Sequence, residues 1–290
     1  LLALERSGRA PWVERPPLAI ASCGNAAFAA STLAHSVQWP IKVFVPDLVA
    51  TELSDLLQSV NAEIVRCPRL STDPPGDPTV HRFREAVKSG AIPFGVQGTE
   101  NAWCLDGGRT IGWEIADAQE RESGPPLDRL FVQVGGGAFA ACLATGVYAG
   151  GLRPALHAVQ PAGCAPLQRA WENAGAGGGT RNAGGRWSEC MWPWENVQSS
   201  LADGILDDET YDWVGVCNAM ADSGGSPIVC SEQHIVDAYA LAHKVTTINV
   251  SPTGSAGLAG VLAMRPNIAD DERVVVVFSG VRRQFMPLPK

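Results

Sequence analysis

Three consecutive glycines, Gly135–Gly137, interrupt the sequence directly after an apolar run, Leu130–Val134, that has the character of a β-strand. Small residues from Ala138 onward are typical of a helix. Glycine accepts positive φ angles and lets backbone N–H groups approach a ligand closely. A helix start behind such a turn adds unpaired N–H donors and the positive end of a dipole, which suit a phosphate. A tight strand-to-helix turn without a ligand fits the same residues, so this segment alone leaves both interpretations open.

Two further predicted strands also end in small polar residues. Ser22–Asn25 follows Leu18–Ala21, and Ser279-Gly280 follows Arg273–Phe278. Ligands of open parallel sheets bind at the carboxyl ends of the strands, so the three turns are candidates for one ligand site. Each also has a purely local interpretation, with Ser22 as a helix N-cap, Asn25 as a first-turn residue and Ser279 as a turn residue.

Apolar strands alternate with helical segments along the chain, which is the pattern of parallel sheets covered on both faces. The predicted strands are Leu18–Ala21, Ile41–Pro46, Ala62–Cys67, Leu130–Val134, Leu156–Pro161, Pro227–Cys230, Val245–Val250 and Arg273–Phe278. The predicted helices are residues 1–9, Ala26–Ser36, Ala50–Ser59, Thr79–Ser89, Arg109–Glu120, Ala165–Ala174, Ser231–Ala242 with Ser231 as its cap, and Leu258–Met264. The length favours two α/β domains, a smaller one over residues 1–125 and a larger one over 126–290.

Two segments depart from this alternation. Gly175–Gly185 contains six glycines in eleven residues, and we expect a mobile loop there. Trp187–Trp194 contains three tryptophans, for which core filling or a subunit contact is favoured over stacking on a ligand.

The bulk composition excludes several classes of partner. The net charge of −8 and a pI near 5.1 argue against nucleic acid and against an anionic membrane surface. No apolar run is long enough to span a membrane. The eight cysteines are widely spaced without a CxxC pair, and the five histidines form no HxxxH pattern. We therefore expect reduced thiols, no metal site and a cytoplasmic location.

Seven motifs in order resemble the fold-type II pyridoxal-phosphate enzymes, the tryptophan synthase β-like superfamily. They are Ala21–Ala27, Val43–Pro46, Ala62–Val65, Gly107–Ile115, Gly135–Gly137, Ser251–Gly257 and Phe278–Gly280. The resemblance implies two lobes, each a three-layer αβα sandwich around a parallel sheet, and pyridoxal 5′-phosphate as cofactor. Within the superfamily, Asp106–Glu114 and Pro252–Gly257 are most similar to threonine synthase and threonine dehydratase.

The resemblance also implies roles for single residues. The amides of Gly135, Gly136, Gly137 and Ala138 would hold the cofactor phosphate, and Ala138 stands where relatives often carry a fourth glycine. Asn25 would bind the cofactor's 3′-oxygen, and the loop formed by Ser22, Cys23, Gly24 and Asn25 would bind the substrate carboxylate. Ser279 would face the pyridine nitrogen. A neutral hydroxyl there does not enforce a protonated ring, which favours elimination or replacement chemistry.

One departure concerns the lysine that forms the Schiff base. In the family it lies in a Lys-Asp-Arg-Gly-like motif, about a helix's length before the position of Ser22. The lysines of this sequence are Lys42, Lys88, Lys244 and Lys290, and none stands in such a motif. We therefore expect an N-terminally truncated piece of the enzyme, with the lysine upstream of Leu1, that binds pyridoxal phosphate weakly and does not turn over.

The resemblance implies a lyase that removes the α-proton of a small amino acid and expels or replaces a β- or γ-substituent. Ser279 favours a dehydratase, Asp106–Thr110 favours a synthase, and Arg109 is a weak candidate for the second anion site that a synthase requires. The alternative from another class is a non-catalytic pyridoxal-phosphate- or amino-acid-binding protein. A nucleotide-binding protein is disfavoured because the residues from Gly135 do not keep the GxGxxG spacing. The family's habit and the tryptophan cluster favour a homodimer.

Overall fold

The computed structural model describes residues 15–281. The predicted helix over residues 1–9 and the terminal Lys290 lie outside the described residues. The chain forms two compact units that divide between Val96 and Gln97.

The first unit is built on a four-stranded parallel sheet with the strand order β3-β2-β1-β4. Its strands are β1 (Leu18–Ala21), β2 (Ile41–Pro46), β3 (Glu63–Cys67) and β4 (Ile92–Pro93). Its helices are Asn25–Ser36, Thr51–Ser59 and Pro78–Lys88.

Both faces of this sheet are buried. Leu18 and Ile20 belong to a core that includes Leu53 and Leu57 of one helix, whereas the intervening Ala19 belongs to a second core with Phe83 of another. Side chains alternate across a strand, so two separate cores mean that helices cover both faces. The first unit therefore has three layers.

The second unit contains another four-stranded parallel sheet, with the order β7-β6-β5-β8. Its strands are β5 (Arg129–Gln133), β6 (Ala155–Pro161), β7 (Ser226–Cys230) and β8 (Val274–Val276). Its helices are Ala102–Gly107, Thr110–Glu122, Ala138–Ala149, Pro166–Ala176, Trp187–Cys190, Trp213–Ser223, Glu232–Val245 and Pro252–Met264.

The same alternation divides the core of the second unit. Leu130 and Val132 pack with the helix Ala138–Ala149, and the intervening Phe131 packs with Ala256 and Ala259 of the helix Pro252–Met264. The predicted fold class, two α/β lobes that are each a three-layer sandwich around a parallel sheet, is confirmed.

The division at Val96 differs from the expected boundary between residues 125 and 126. The helix Thr110–Glu122 lies directly against the helix Ala138–Ala149 of the second unit. A Cβ on Gly112 would stand 2.5 Å from the Leu143 carbonyl oxygen, and a Cβ on Gly146 would stand 2.3 Å from that of Arg109. Glycines at the crossing allow the two backbones to touch, and this contact places the helix with the second unit.

The predicted strand Val245–Val250 is wrong. The preceding helix continues to Val245, where both the amide and the hydroxyl of Thr246 donate to the Ala242 carbonyl oxygen. Only Val250 takes part in strand pairing, through an isolated antiparallel bridge to Val281. The β-branched residues favour extended structure, but the segment has no neighbouring strand to pair with along its length.

The predicted start of the last long helix at Leu258 is also wrong, because the helix begins at Pro252. The Ser251 hydroxyl caps it by accepting a hydrogen bond from the Gly254 amide at 2.9 Å. Proline suits the first helical position because its missing N–H would have no partner there. The small residues before Leu258 lie inside the helix, where they allow close packing.

Both ends of the glycine-rich segment Gly175–Gly185, which was expected to be a loop, belong to helical elements. The preceding helix runs to Ala176, Gly178 and Gly179 adopt positive φ angles, and a 3-10 turn starts at the fully buried Ala183. In the tryptophan segment, Trp187 packs edge-on against Trp213 at 5.5 Å between ring centroids. Trp192 and Trp194 flank the Arg169 guanidinium at 3.9 and 5.0 Å. These contacts agree with the core-filling interpretation. None of the helices described over residues 15–281 is both long enough and apolar enough to span a membrane.

Candidate functional site

The glycine turn connects the carboxyl end of β5 to the helix Ala138–Ala149. Gly137 adopts a φ of 93°, which a residue with a side chain rarely accepts. The Gly136 carbonyl oxygen accepts from the Asp212 amide at 2.8 Å, and the Gly137 carbonyl oxygen accepts from the Ala141 amide at 3.0 Å. The carbonyl oxygens of the turn are therefore bound within the protein.

The backbone amides of the turn, unlike its carbonyl oxygens, have no hydrogen-bond partner within the described part of the protein. Among the described residues, the backbone N–H groups of Gly135, Gly136 and Gly137 donate to no protein acceptor. Ala138 begins a helix of twelve residues, whose first amides lack intrahelical acceptors. The turn thus presents a set of N–H donors at the positive end of a helix dipole, which is an arrangement that binds phosphate.

The glycines are also required by packing. A Cβ on Gly135 would stand 2.3 Å from an Asp207 carboxylate oxygen and 3.0 Å from the Ile205 Cα, and one on Gly137 would stand 2.8 Å from the Thr210 methyl group. The segment 205–212 therefore lies tightly against the turn. The same residues permit close packing and leave their amides without a protein acceptor, so the structure is compatible with either interpretation of the glycines.

Asp212 links the turn to the beginning of the second unit. Its amide donates to Gly136, and its carboxylate accepts from the Gly98 amide at 2.9 Å. Burial raises the pKa of Asp212, and the amides of Gly98 and Thr99 counteract that rise by stabilising the carboxylate.

Ser279 lies beside the same edge of the sheet. It follows β8, which pairs in parallel with β5, so both strands end on the side of the glycine turn. Ser279 is an exposed residue, and its hydroxyl accepts a hydrogen bond from the side-chain amide of Gln133, the last residue of β5. The structure thus brings Gly135–Ala138 and Ser279 together through neighbouring strands.

The backbone around Ser279 is held by the start of the helix Pro252–Met264. The Ser279 amide donates to the Gly254 carbonyl oxygen at 3.3 Å, and the Ser251 amide donates to that of Gly280 at 2.7 Å. A Cβ on Gly254 would stand 2.4 Å from the Gly280 carbonyl oxygen, so only glycine permits this approach.

The predicted substrate loop Ser22–Asn25 lies in the first unit, at the carboxyl end of β1. Ser22 is half-buried, whereas Cys23, Gly24 and Asn25 are exposed. Asn25 is the first residue of a twelve-residue helix whose N-cap, Gly24, supplies no side-chain hydrogen bond. The helix start therefore retains amide donors that suit a carboxylate or another anion. The predicted use of Ser22 as an N-cap is not found.

None of the described lysines follows the carboxyl end of a strand, where the glycine turn, Ser279 and the Ser22–Asn25 loop lie. Lys42 is near the beginning of β2 and forms an ion pair with Glu63 at 3.3 Å. Lys88 and Lys244 belong to the last turns of helices. Arg109, the candidate for a second anion site, forms an ion pair with Asp106 at 3.2 Å.

Sequence reasoning missed Gln133 and the segment 205–212. About 70 residues separate that segment from the glycines, and no spacing rule links them. Gln133 could have been noticed because a glutamine at the end of an otherwise apolar strand needs a polar partner. An open cavity of about 650 Å³ lies elsewhere, at the far end of the helix Ala138–Ala149, and is lined by Trp113, Gly150 and Leu152.

These residues fit pyridoxal phosphate. The turn offers unpaired amides for the phosphate, and the hydroxyl of an exposed serine is available on the adjacent strand end for a ring nitrogen. Ala138 in place of a fourth glycine leaves its backbone amide available.

Comparisons with known proteins identify the same cofactor class. A model of the family described as pyridoxal-phosphate dependent enzyme matches residues 2–280. No curated protein matches the sequence significantly. Among solved structures, the threonine deaminase of T.th. has a TM-score of 0.70 and 22% identity, covering 95% of this chain and 81% of its own.

Two plant structures are similar to the same extent. Threonine deaminase isoform 2 from Solanum lycopersicum has a TM-score of 0.72 and 18% identity, covering 98% of this chain and 75% of its own. Serine racemase from maize has a TM-score of 0.67 and 18% identity, covering 92% of this chain and 73% of its own. At these identities the similarity shows a shared fold.

Proposed function

This chain belongs to the family of pyridoxal-phosphate-dependent enzymes, and we propose that its site serves lyase chemistry on a small amino acid. The observation that carries the proposal is the glycine turn, with unpartnered amides at the start of a helix and an exposed serine on the next strand end. When bound, pyridoxal phosphate withdraws electrons from the substrate's α-carbon, which favours loss of the α-proton and elimination or replacement.

Each predicted residue has one task in this proposal. The amides of Gly135, Gly136, Gly137 and Ala138 bind the phosphate, and charge-assisted hydrogen bonds of this kind are strong. The Ser279 hydroxyl binds the ring nitrogen.

The loop of the first unit completes the proposed assignments. Asn25 binds the 3′-oxygen. Ser22, Cys23 and Gly24, together with Asn25, bind the substrate carboxylate through hydroxyl and amide donors.

The finer proposal is a reaction of the threonine dehydratase or threonine synthase type. Ser279 and the similarity to two threonine deaminases support dehydration, whereas Asp106–Thr110 supports synthase chemistry. A synthase must also bind the phosphate of its substrate, and the candidate Arg109 is already paired with Asp106. We therefore favour dehydration.

We further propose that the 290 residues bind pyridoxal phosphate without forming a covalent bond to a lysine and do not turn over. Lys42 is held by Glu63, and neither Lys88 nor Lys244 follows a strand end. Borohydride treatment followed by peptide mass spectrometry tests this point. A trapped pyridoxyl group on one of the four lysines of the sequence would contradict it.

The second candidate function is a non-catalytic protein that binds pyridoxal phosphate or an amino acid. The positions of the described lysines favour it, because none resembles the expected nucleophile. Incubation with threonine, serine and O-phosphohomoserine separates the functions when it is carried out on a full-length form that contains a Schiff-base lysine, because the 290 residues alone are not expected to turn over. 2-Oxobutanoate from threonine supports dehydration, and phosphate from O-phosphohomoserine supports the synthase. Binding without any product supports the second candidate.

We also propose a homodimer. The tryptophan segment is engaged within the chain, so it supplies less of an interface than expected. Trp103 and Trp113, which are 61% and 47% exposed, are better candidates. Sedimentation velocity of the wild type and of Trp113→Asp tests this, because a dimer that uses this surface dissociates in the variant.

A further inference from the structure

A buried glutamine lies directly behind the exposed serine of the proposed cofactor site. Gln133 is 5% exposed, and its side-chain N–H group donates to the Ser279 hydroxyl oxygen. Strands β5 and β8 are adjacent and parallel, so the backbone fixes the two residues relative to each other. Within the described residues, Ser279 has no other side-chain hydrogen bond.

The direction of this hydrogen bond determines what Ser279 can offer a ligand. A hydroxyl group carries one proton and accepts through its lone pairs. When the oxygen accepts from Gln133, its own proton remains available for an acceptor on the exposed side. The serine then acts as a hydrogen-bond donor toward a ligand.

The surroundings of the Gln133 side-chain oxygen support the orientation in which the amide nitrogen faces Ser279. The Gln133 carbonyl oxygen Oε1 is buried and has no hydrogen-bond partner among the described residues. It lies 3.1 Å from the position that a Cβ on Gly257 would take, where glycine has a hydrogen instead. A Cα–H group is a weak donor that accommodates an oxygen better than an NH₂ group. The amide nitrogen therefore belongs on the Ser279 side.

A buried acceptor without a partner is uncommon in native proteins. A leucine or methionine at position 133 would fill this space without burying a polar group. The presence of glutamine is explained if its N–H group is needed to donate a hydrogen bond to Ser279.

We propose that Gln133 is a positioning residue that fixes the Ser279 hydroxyl as a donor to the unprotonated pyridine nitrogen of pyridoxal phosphate. This inference rests on the proposed function and deepens it. The hydrogen bonds of this relay point in one direction: the Gln133 N–H donates to the Ser279 oxygen, and the Ser279 O–H donates to the ring nitrogen. A protonated ring nitrogen has no acceptor in this arrangement, so the relay keeps the ring neutral.

The test uses pyridoxine 5′-phosphate labelled with ¹⁵N in the ring, because this analogue lacks the aldehyde and needs no lysine. Bound to the full 290-residue chain, its nitrogen signal is expected at the position of an unprotonated pyridine that accepts a hydrogen bond. In Gln133→Glu, the carboxylate can only accept, so the Ser279 hydroxyl donates its hydrogen bond to the carboxylate. The serine oxygen then accepts from a protonated ring, and the signal moves upfield to the pyridinium position.

Two controls distinguish positioning from a general effect of charge or packing. Gln119→Glu introduces the same change at another buried glutamine, in the helix Thr110–Glu122, and should leave the signal in place. In a Ser279→Ala background, Gln133→Glu should no longer alter the protonation state, because the relay is already broken.

A second variant keeps the test valid if Gln133→Glu does not fold. Gln133→Met removes the donor and keeps the volume, so Ser279 is free to rotate and accept. The ring nitrogen should then become protonated at a higher pH than in the wild type.

The outcomes separate this inference from the proposed function. A protonated ring in the wild type, or an unchanged titration in both Gln133 variants, overturns the inference while leaving cofactor binding intact. An effect of Gln133→Glu that persists without the Ser279 hydroxyl also overturns it. If ³¹P NMR of the analogue shows no saturable binding to the wild type, the proposed function and the inference are both overturned.

Discussion

The glycine turn is the residue-level feature with the clearest steric requirement. Replacement of Gly135 by alanine places a Cβ against the Asp207 carboxylate and the backbone of Ile205. Because a backbone cannot rotate away as a side chain can, the segment 205–207 must move. We expect the free energy of unfolding to fall by about 1–3 kcal/mol and pyridoxal phosphate to bind more weakly. Urea unfolding and a cofactor titration measure the two effects.

Gly175→Ala is the matched control for that substitution. Gly175 lies in the helix Pro166–Ala176, and a Cβ there would meet nothing within 4 Å. Alanine has the higher helix propensity, so stability should stay constant or rise by up to about 1 kcal/mol, with unchanged cofactor affinity. Equal losses in the two variants would show that the turn has no special packing.

A second prediction at the residue level concerns His157 and the pH dependence of the free energy of unfolding. It is 2% exposed, stacks on Phe131 at 4.8 Å between ring centroids, and lies 3.3 Å from an Arg129 nitrogen. Burial, together with the positive charge of Arg129, lowers the pKa of His157 below 6.5, although the Ser226 carbonyl oxygen counteracts this. The folded state therefore keeps the ring neutral.

The sign of the effect follows from proton binding. Below pH 6.5 the unfolded chain binds a proton at this histidine while the folded chain does not, so the free energy of unfolding decreases as the pH falls. The slope from one such group is at most about 1.4 kcal/mol per pH unit. His157→Gln should flatten the curve between the folded-state pKa and pH 6.5, as measured by urea unfolding across that range. Parallel curves for the two proteins would contradict this assignment.

Two helix caps of the same kind allow a prediction at the level of elements. Ser251 caps the helix Pro252–Met264 and Ser231 caps the helix Glu232–Val245. Ser251→Ala and Ser231→Ala should each cost about 1 kcal/mol of unfolding free energy. Only the first helix holds the backbone around Ser279, so only Ser251→Ala should weaken binding of pyridoxal phosphate. Equal cofactor affinities in the two variants would show that the helix Pro252–Met264 does not contribute to cofactor binding.

The crossing of two helices gives a further prediction. Gly112→Ala places a Cβ 2.5 Å from backbone atoms of the helix Ala138–Ala149, whereas one on Gly107 would meet nothing within 4 Å. We expect Gly112→Ala to lose about 1–3 kcal/mol of stability and Gly107→Ala to change it little. Thermal unfolding of both variants tests whether the helix Thr110–Glu122 belongs with the second unit. Similar stabilities would favour the expected boundary near residue 125.

Elements fixed by local interactions could be predicted from the sequence, whereas those fixed by tertiary contacts could not. Apolar runs predicted most strands because a parallel sheet buried on both faces requires them, and Ser231 predicted a helix start because a cap uses local chemistry. The run Val245–Val250 failed because strand formation needs a neighbour that local sequence cannot show. The predicted helix start at Leu258 was wrong because the small residues before it pack closely inside the helix, which local sequence does not show. Gln133 and the segment 205–212 could not be placed since their contacts depend on the tertiary fold.

For the whole molecule, the family match over residues 2–280 establishes the cofactor class, and the two parallel-sheet units agree with the fold of that family. The net charge of −8 does not attract a phosphate. Our proposal therefore assigns the affinity to the local donors of the turn. Pyridoxal, which shares the ring but lacks the phosphate, reports on that contribution directly.

Calorimetric titration of the 290-residue chain with pyridoxal phosphate and with pyridoxal tests this claim most directly. Hydrogen bonds to a charged group contribute about 1.5–3 kcal/mol each, and 1.4 kcal/mol corresponds to about tenfold in affinity. We predict saturable binding of pyridoxal phosphate at one site per chain, at least about tenfold tighter than pyridoxal. Equal affinities, or no binding of either compound, would contradict the assignment of the glycine turn as the phosphate site.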